Sequence, residues 1–492
     1  MSLSAALNVA QSALTTTSLQ SSLVSRNVAG SGDAGYSRKS GLLVTDYGGT
    51  VRVASVGRAV DTVLFTAKLA ATSSTATQQA ITDGIAKLET TVNDPELDHS
   101  LAAKLGALTN ALQQYSITPD DPLLAQDVLS EANDLASALN AASQTTADVR
   151  KQADADMAAG VERVNDLLTQ FEQVNKMIVK GSQSNSDITD LLDSRDKILS
   201  QLSEEIGIST VTRANNDMVI YTDGGVTLFE TVPRSVTMAP SLALAAGTPG
   251  NAVYIDGVPV TGPNAIMPIK SGQIYGSSVV RDDVAVVYQN QLDEIARGLI
   301  EAFAESDQGP PPAGPDQAGL FTYPGAPAVL ASGVISPGLA SSIFVNPNAD
   351  PAQGGDLDRL RDGGISDPLD PDYVYNTGGE AGFSGRIQDM LDKLGSQRAF
   401  DPATQADPTN TLAGFASSSV GWLEAKRQTG SVTLGYEQAL LDRTTEALSN
   451  ATGVNIDEEM TLLMELERSY SAASNIIATI DQMFESLLSA VR

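Results

Sequence analysis

Few residues in this sequence have both the type and the spacing to do chemistry. His99 is the only histidine. A multi-histidine metal site is therefore impossible, and a Ser–His–Asp relay would rest on this one ring. His99 follows the polar turn Asn93-Asp94-Pro95-Glu96-Leu97-Asp98 ahead of a helix and reads as an ordinary exposed side chain. Arg195 and Asp196 could form a charged catalytic pair. On one helix with Asp193 and Lys197 they read instead as a capping or surface salt-bridge cluster. Asp367, Asp370 and Asp372 are spaced as loop carboxylates that can hold calcium, but the central glycine and distal glutamate of a calcium loop are missing. Gly30-Ser31-Gly32-Asp33-Ala34-Gly35 spells a dinucleotide fingerprint. That chemistry needs a strand before the glycines and a helix after them. Here the order is reversed, and a helix cap followed by a loop is the better reading. Trp422, in the run Val420–Leu423, reads as core packing. No catalytic, cofactor-binding or metal residue is assigned, and no cofactor is expected.

The patterns that remain belong to elements that hold a position. Leu3, Leu7, Ala10, Leu14, Thr17, Ser21, Val24 and Val28 step along the N-terminal segment by fours and threes. Leu463, Leu466, Tyr470, Ala473, Ile477, Ile480, Phe484, Leu487 and Val491 do the same at the other end. These are the a/d positions of a coiled coil, which hold a facing helix in register. Arg26 is the only charged residue before Asp33, and the other faces of the first helix carry Ser, Thr, Gln and Ala. A solvated coiled coil places Glu and Lys there, so several faces of this helix are expected to be covered in the working state. Both ends are expected to gain their order on assembly.

Between the two stripes the pattern changes in an ordered way. Residues 38–45 and 50–56 read as a hairpin around Asp46-Tyr47-Gly48-Gly49. Helices follow over roughly 59–92, through the Leu101, Leu105, Leu108, Leu112 stripe, over 123–180 after Pro119 and Pro122, and across 187–205. From about 208 to 276, short Val/Ile/Thr runs broken by Asn215-Asn216, Asp223-Gly224-Gly225 and Asp256-Gly257 imply a small antiparallel β unit. Helix returns near 279–305, a Pro/Gly-rich stretch occupies 306–327, and helix dominates again from 383, ending at a Gly453 break.

The expected fold is mainly α with an inserted β-rich region, an elongated multi-domain chain whose terminal helices pair as a coiled-coil stem. Its parts are a stem helix over 1–36 that pairs with 455–492, a long-helix domain over 37–207 and 383–454, and a β-rich outer domain over 208–382. The simplest topology puts both termini at one end and the β domain at the other.

Composition limits the partners. With a net charge of -30, the surface repels phosphate backbones and anionic lipid, so neither nucleic acid nor a membrane is an expected partner. The absence of cysteine removes disulfides, thiolate metal sites and cysteine nucleophiles. It also allows passage between reducing and oxidising compartments without cross-linking. No apolar run reaches membrane-helix length, and the N-terminus lacks the pattern of a cleavable signal.

Several stretches resemble one family. Met1-Ser2-Leu3 with Ala6-Leu7, Ser25-Arg26-Asn27-Val28-Ala29 and Gly35-Tyr36-Ser37-Arg38 resemble the N-terminal signature of flagellar rod, hook and junction proteins. Gly30 stands where that signature usually has a second Asn, and Asp33-Ala34 precedes the Gly-Tyr pair. Asp190-Leu191-Leu192-Asp193-Ser194-Arg195-Asp196 and Ser271-Gly272-Gln273-Ile274 with Arg281-Asp282 are similar to inner segments of the hook-associated protein 1 family. Gly453-Val454-Asn455-Ile456-Asp457-Glu458-Glu459 with Tyr470-Ser471-Ala472-Ala473 resembles the C-terminal axial signature.

The resemblance implies a structural protein and not an enzyme. It would be exported without a cleaved signal through the flagellar type III apparatus and located in the extracellular flagellum, at the hook–filament junction. The implied partners are further copies in a ring at the hook tip, the hook protein, the next hook-associated protein at the filament base, and an FlgN-type cytoplasmic chaperone on the C-terminal helix. A hook or rod component is the alternative within the same class. A secreted acidic hydrolase is the alternative outside it, and it would need two carboxylates converging in a pocket.

Overall fold

In a computed structural model, residues 3–92, 100–241, 243–312 and 314–491 are described. His99 and the whole of the turn Asn93–Asp98 before it lie outside the described residues. The chain opens with helix α1 (Leu3–Gly30), then a hairpin of β1 (Lys39–Thr45) and β2 (Val51–Arg58). Helix α2 (Thr62–Glu89) starts where the Asp61 carboxylate accepts the amides of Val63 and Leu64, satisfying donors that the first helical turn leaves open. Ser100 caps α3 (Leu101–Ile117) in the same way. Asp121 with Pro122 begins α4 (Pro122–Gln183), where proline supplies a first residue that needs no amide partner. With its 62 residues, α4 is roughly 93 Å long and runs through both halves of the body.

After α5 (Thr189–Glu205) come two small antiparallel sheets. One contains β3 (Ile208–Thr212), β4 (Met218–Thr222) and β5 (Thr227–Phe229). The other contains β6 (Val236–Thr237), β7 (Tyr254–Ile255) and β8 (Val258–Pro259). Helix α6 (Gln273–Val279) runs through one π-helical turn over Val280–Val284 into α7 (Ala285–Ala302), which is buried along nearly its whole length. The irregular stretch beyond it holds β9 (Phe321–Thr322) paired with β10 (Phe344–Val345), and the single turn α8 (Arg359–Asp362). Helix α9 (Gly385–Gly395) and the pair β11 (Arg398–Ala399) and β12 (Thr409–Asn410) lead into α10 (Leu412–Thr452), and α11 (Ile456–Val491) closes the chain. Among the described residues, no helix is long and apolar enough to cross a membrane.

Two apolar clusters form the body. The first joins α3, the N-terminal half of α4, α7, α9 and the start of α10 with Leu320, Phe321, Leu339, Ile343, Val345 and Ile365. The second joins the C-terminal half of α4 and α5 with both sheets, where Phe171 meets Phe229 edge-on at 4.9 Å. The structure therefore divides the expected β-rich stretch 208–382. Its strands up to Val260 sit on the stem-proximal half of α4, while residues 318–365 complete the helical core at the other end. The β sheets consequently lie near the termini and not opposite them, a correction to the simplest topology. The physical reason is that α4 runs nearly the full length of the body before the first of these strands begins. The far end is built instead from the irregular stretch, whose buried Leu and Ile side chains join the cluster of α3, α4, α7, α9 and α10.

Candidate assembly interface

Helices α1 and α11 pack against each other. At the base of this stem, Asn27 is almost fully buried and all four of its hydrogen-bonding positions are used. Its amide donates to the Lys39 carbonyl at 2.9 Å and to Glu459 Oε2 at 3.0 Å. Its Oδ1 accepts the Lys39 N–H at 2.9 Å and the Tyr36 hydroxyl at 3.0 Å. Glu459, itself buried, also accepts Arg38 Nε at 2.6 Å, and the Arg38 N–H donates to the Thr452 carbonyl at 2.8 Å. One side chain thus ties the first helix, the hairpin and the last helix together. Gly30 ends α1 next to this node, where a Cβ would lie 2.6 Å from the Tyr36 ring. The glycine run is the end of a helix and a loop, and Gly30 makes room for that ring.

The stem is tied to the body by a ladder of charges. Asp187, Asp190, Asp193 and Asp196 recur every third residue into and along α5. Three cations from the stem and hairpin each lie between two of them in turn. Arg26 reaches Asp187 at 3.0 Å and Asp190 at 2.7 Å. Lys39 pairs with Asp190 and, at 3.0 Å, with Asp193. Arg58 reaches Asp193 at 2.9 Å and Asp196 at 2.7 Å. Burial alone would lower the Lys39 pKa, but the bonds to Asp190 and Asp193 outweigh it and raise the pKa. Arg58 is raised in the same way, against burial, by Asp196 and Asp193. Burial raises the Asp196 carboxyl despite Arg58. These residues are not the surface cluster that the spacing suggested. Arg195 is buried, donates to the Asn216 carbonyl at 2.6 Å, and is pushed down to about 10 by burial. Its other partner is the Asn175 side-chain oxygen at 3.3 Å, and Asp196 pairs with Arg58.

The expected seam is placed as follows. Ala10, Thr17 and Val24 are buried, while Leu3, Leu7, Leu14, Ser21 and Val28 are half-buried. On α11, Leu466, Ala473 and Ile480 are buried one heptad apart, and Glu459 occupies the preceding heptad position. Leu463, Ile477 and Phe484 are half-buried, and Val491 is the last residue of α11. Tyr470 and Leu487 are 44% and 52% exposed, as are Ile476 and Met483 at 52% each. A single partner helix covers only the middle of this apolar face. Another face of α1 meets the hairpin: Thr16 donates to the Val51 carbonyl at 2.7 Å, and the Val51 N–H returns to Ser12. The missing charges on α1 therefore have a cause within the chain. The hairpin itself exposes Leu42, Leu43 and Tyr47.

The other candidates resolve into structure. Asp367 and Asp370 accept the backbone N–H of Leu369 and Asp372. Among the described residues, no group of His, Asp and Glu is placed to hold a metal ion. Trp422 packs half-buried against the first cluster with Lys426 over its ring.

Comparison with known proteins bears on the same regions. The family model described as "Flagellar hook-associated protein FlgK helical domain" matches residues 85–309, which span α3 to α7. Residues 85–309 are thus similar to the FlgK helical domain. The model for the "Flagellar basal body rod FlgEFG protein C-terminal" matches residues 447–490, which include all of α11 but its last residue, and with it Glu459. Flagellar hook-associated protein 1 of Escherichia coli (strain K12) is 26% identical over 193 residues, covering 38% of the chain. That match spans 34% of the relative's length. A solved structure, that of the flagellar hook junction protein FlgK from Burkholderia pseudomallei, aligns with 52% of the chain and 46% of its own, at 22% identity and a TM-score of 0.43.

Sequence reasoning assigned the interface to apolar seam residues alone. It missed Asn27, Arg38, Lys39, Arg58 and Glu459. Asn27, Arg38 and Glu459 sit in the stretches that carried the family resemblance. The every-third-residue aspartates were a further legible signal.

Proposed function

We propose that this FlgK-type chain is a structural subunit of the bacterial flagellum that assembles with its own copies at the hook tip and joins hook to filament. The observation that carries the reading is the pairing of the two chain ends at Asn27 and Glu459 into one stem, with part of the α11 apolar face left open. A face of that kind is complete only when further helices cover it. The hook protein, the next hook-associated protein and neighbouring copies are the partners proposed to supply that cover. An FlgN-type chaperone is proposed to hold α11 before export through the type III route. The distal halves of α1 and α11, beyond the Asn27 node, are proposed to gain their order on assembly.

A hook or rod component is the reading that the 447–490 match alone would favour. The longer 85–309 match favours the hook-associated one. The test is deletion of residues 1–30 or of 457–492, followed by scoring of incorporation at the hook tip. Loss of incorporation with an intact body supports the proposal, and normal assembly of either truncated chain overturns it.

A further inference from the structure

We propose that the stem and the body are joined by a charged pivot, so that the stem rocks about Asp193 as the outer rungs of the aspartate ladder open and close. Three observations carry this inference. First, among the described residues neither of the two buried apolar clusters contains a residue of α1, the hairpin or α11. The hydrophobic cohesion that fixes the helices of the body to one another stops at the joint, and charge pairs take over.

Second, the rungs are graded. At the inner end the Lys39 side chain is fully buried, and those of Arg58 and Asp193 are 9% and 11% exposed. At the outer end Arg26 is 36% exposed and Asp190 69% exposed. Exposed pairs contribute little and are screened by salt, whereas breaking a buried pair strands a charge. The outer rungs therefore yield before the inner ones, and Asp193, shared by Lys39 and Arg58, is the point that stays fixed.

Third, there is room to move. A cleft of about 990 Å³ opens beside the ladder, between the Gly30–Ser37 loop, the Arg58–Lys68 segment, α5, the edge of β3 and the end of α10. Rocking toward the body closes this cleft without displacing any packed core. The chain connection from α10 to α11 is short and passes through Gly453, where a Cβ would lie 2.5 Å from the Ser449 carbonyl. The movement is thus a tilt about the ladder and not a separation of the two parts.

The chain has no native cysteine, so a labelled pair reads the joint without background. Spin labels at Tyr47→Cys, on the exposed hairpin tip, and Gln173→Cys, on α4, report the stem–body distance by double electron–electron resonance. A Gln144→Cys and Gln173→Cys pair within α4 is the control. At low salt the hairpin–body distribution is expected to be narrow. It is expected to become roughly twice as wide in about 0.5 M NaCl, where charge interactions fade within a few ångströms. The Asp187→Asn/Asp190→Asn variant should show that width already at low salt, and Asp193→Asn a greater one. Arg52→Gln, which removes the hairpin's own Arg52–Asp46 pair, should change nothing. A hairpin–body distribution that is insensitive to both salt and the aspartate variants overturns the proposal. So does one already broad at low salt while the α4 pair stays narrow, or one that widens equally with Arg52→Gln. The measurement uses the hairpin and is independent of whether the distal stem is ordered or whether the chain assembles at a hook.

Discussion

Asn27 and Glu459 are 432 residues apart in the chain and 3.0 Å apart in the fold. Their contact closes the molecule into a loop whose two ends rise together as the stem. Every hydrogen-bonding position of the Asn27 amide is occupied, by groups from α1's own loop, the hairpin and α11. A buried polar network of this kind specifies one geometry, because any other arrangement strands a polar group away from water.

Asn27→Ala should therefore lower stability by about 1–3 kcal/mol, the cost of leaving buried partners without a hydrogen bond. Asn27→Asp should be worse, since it sets a second carboxylate against Glu459. The check is thermal unfolding combined with limited proteolysis. Cleavage should appear first in α11, with the body still intact.

Two positions of the stripe should separate stability from assembly. Leu466→Ala removes a buried side chain from the α1–α11 contact and should weaken the stem by about 2–5 kcal/mol, the usual range for a buried leucine. Tyr470→Ala alters an exposed position of the same stripe and should shift the stability of the isolated chain by less than about 0.5 kcal/mol. It should nevertheless impair incorporation into a polymer. Equal effects of the two variants on the isolated chain would mean that both belong to the intramolecular contact.

The contrast between Leu466 and Tyr470 also shows how far the sequence could be read. Heptad spacing located both terminal helices, because apolar periodicity is what a buried helix face requires. It could not distinguish Leu466, under α1, from Tyr470, facing out, since both satisfy the same period. The helices of the body were legible from their prolines and leucine stripes, as were the turns of the sheets. The position of the sheets was not, because it depends on where α4 ends in space and not on local pattern. The ladder was hidden for a related reason. Its aspartates recur every third residue, but Arg26, Lys39 and Arg58 come from three separate elements, and only the folded hairpin sets them side by side.

Two glycine substitutions should have opposite signs. At Gly276 a Cβ would lie 2.5 Å from the Thr77 carbonyl, where α6 crosses the backbone of α2. Gly276→Ala should then cost about 1–3 kcal/mol, because backbone must move to admit the methyl group. At Gly106, in the middle of α3, nothing lies within 4 Å of the Cβ position. Gly106→Ala should stabilise the protein by about 0.5–1 kcal/mol, the gain of an alanine over a glycine in a helix. Denaturant midpoints of the two variants measure both effects.

Acid should strengthen the distal core through Asp293. This carboxyl is fully buried on α7 and accepts the N–H groups of Gly338 and Ala340 at 2.8 and 2.9 Å, and the Gln289 amide at 2.9 Å. Burial raises its pKa from 3.8 to about 6, against these three bonds and with Glu294 adding to the rise. Because the folded pKa lies above the unfolded one, the folded state binds the proton first. Its contribution to stability is fully present below about pH 4 and is lost as the pH rises through 6. A shift of about two units corresponds to roughly 3 kcal/mol between the two limits. Asp196 and Glu204 are shifted upward as well, so Asp293→Asn should flatten this pH dependence without abolishing it. Unfolding free energies at pH 5 and pH 7.5 test the sign. The unmodified chain should lose more stability than Asp293→Asn between the two, and an equal loss in both would mean that Asp293 stays ionised in the core throughout this range.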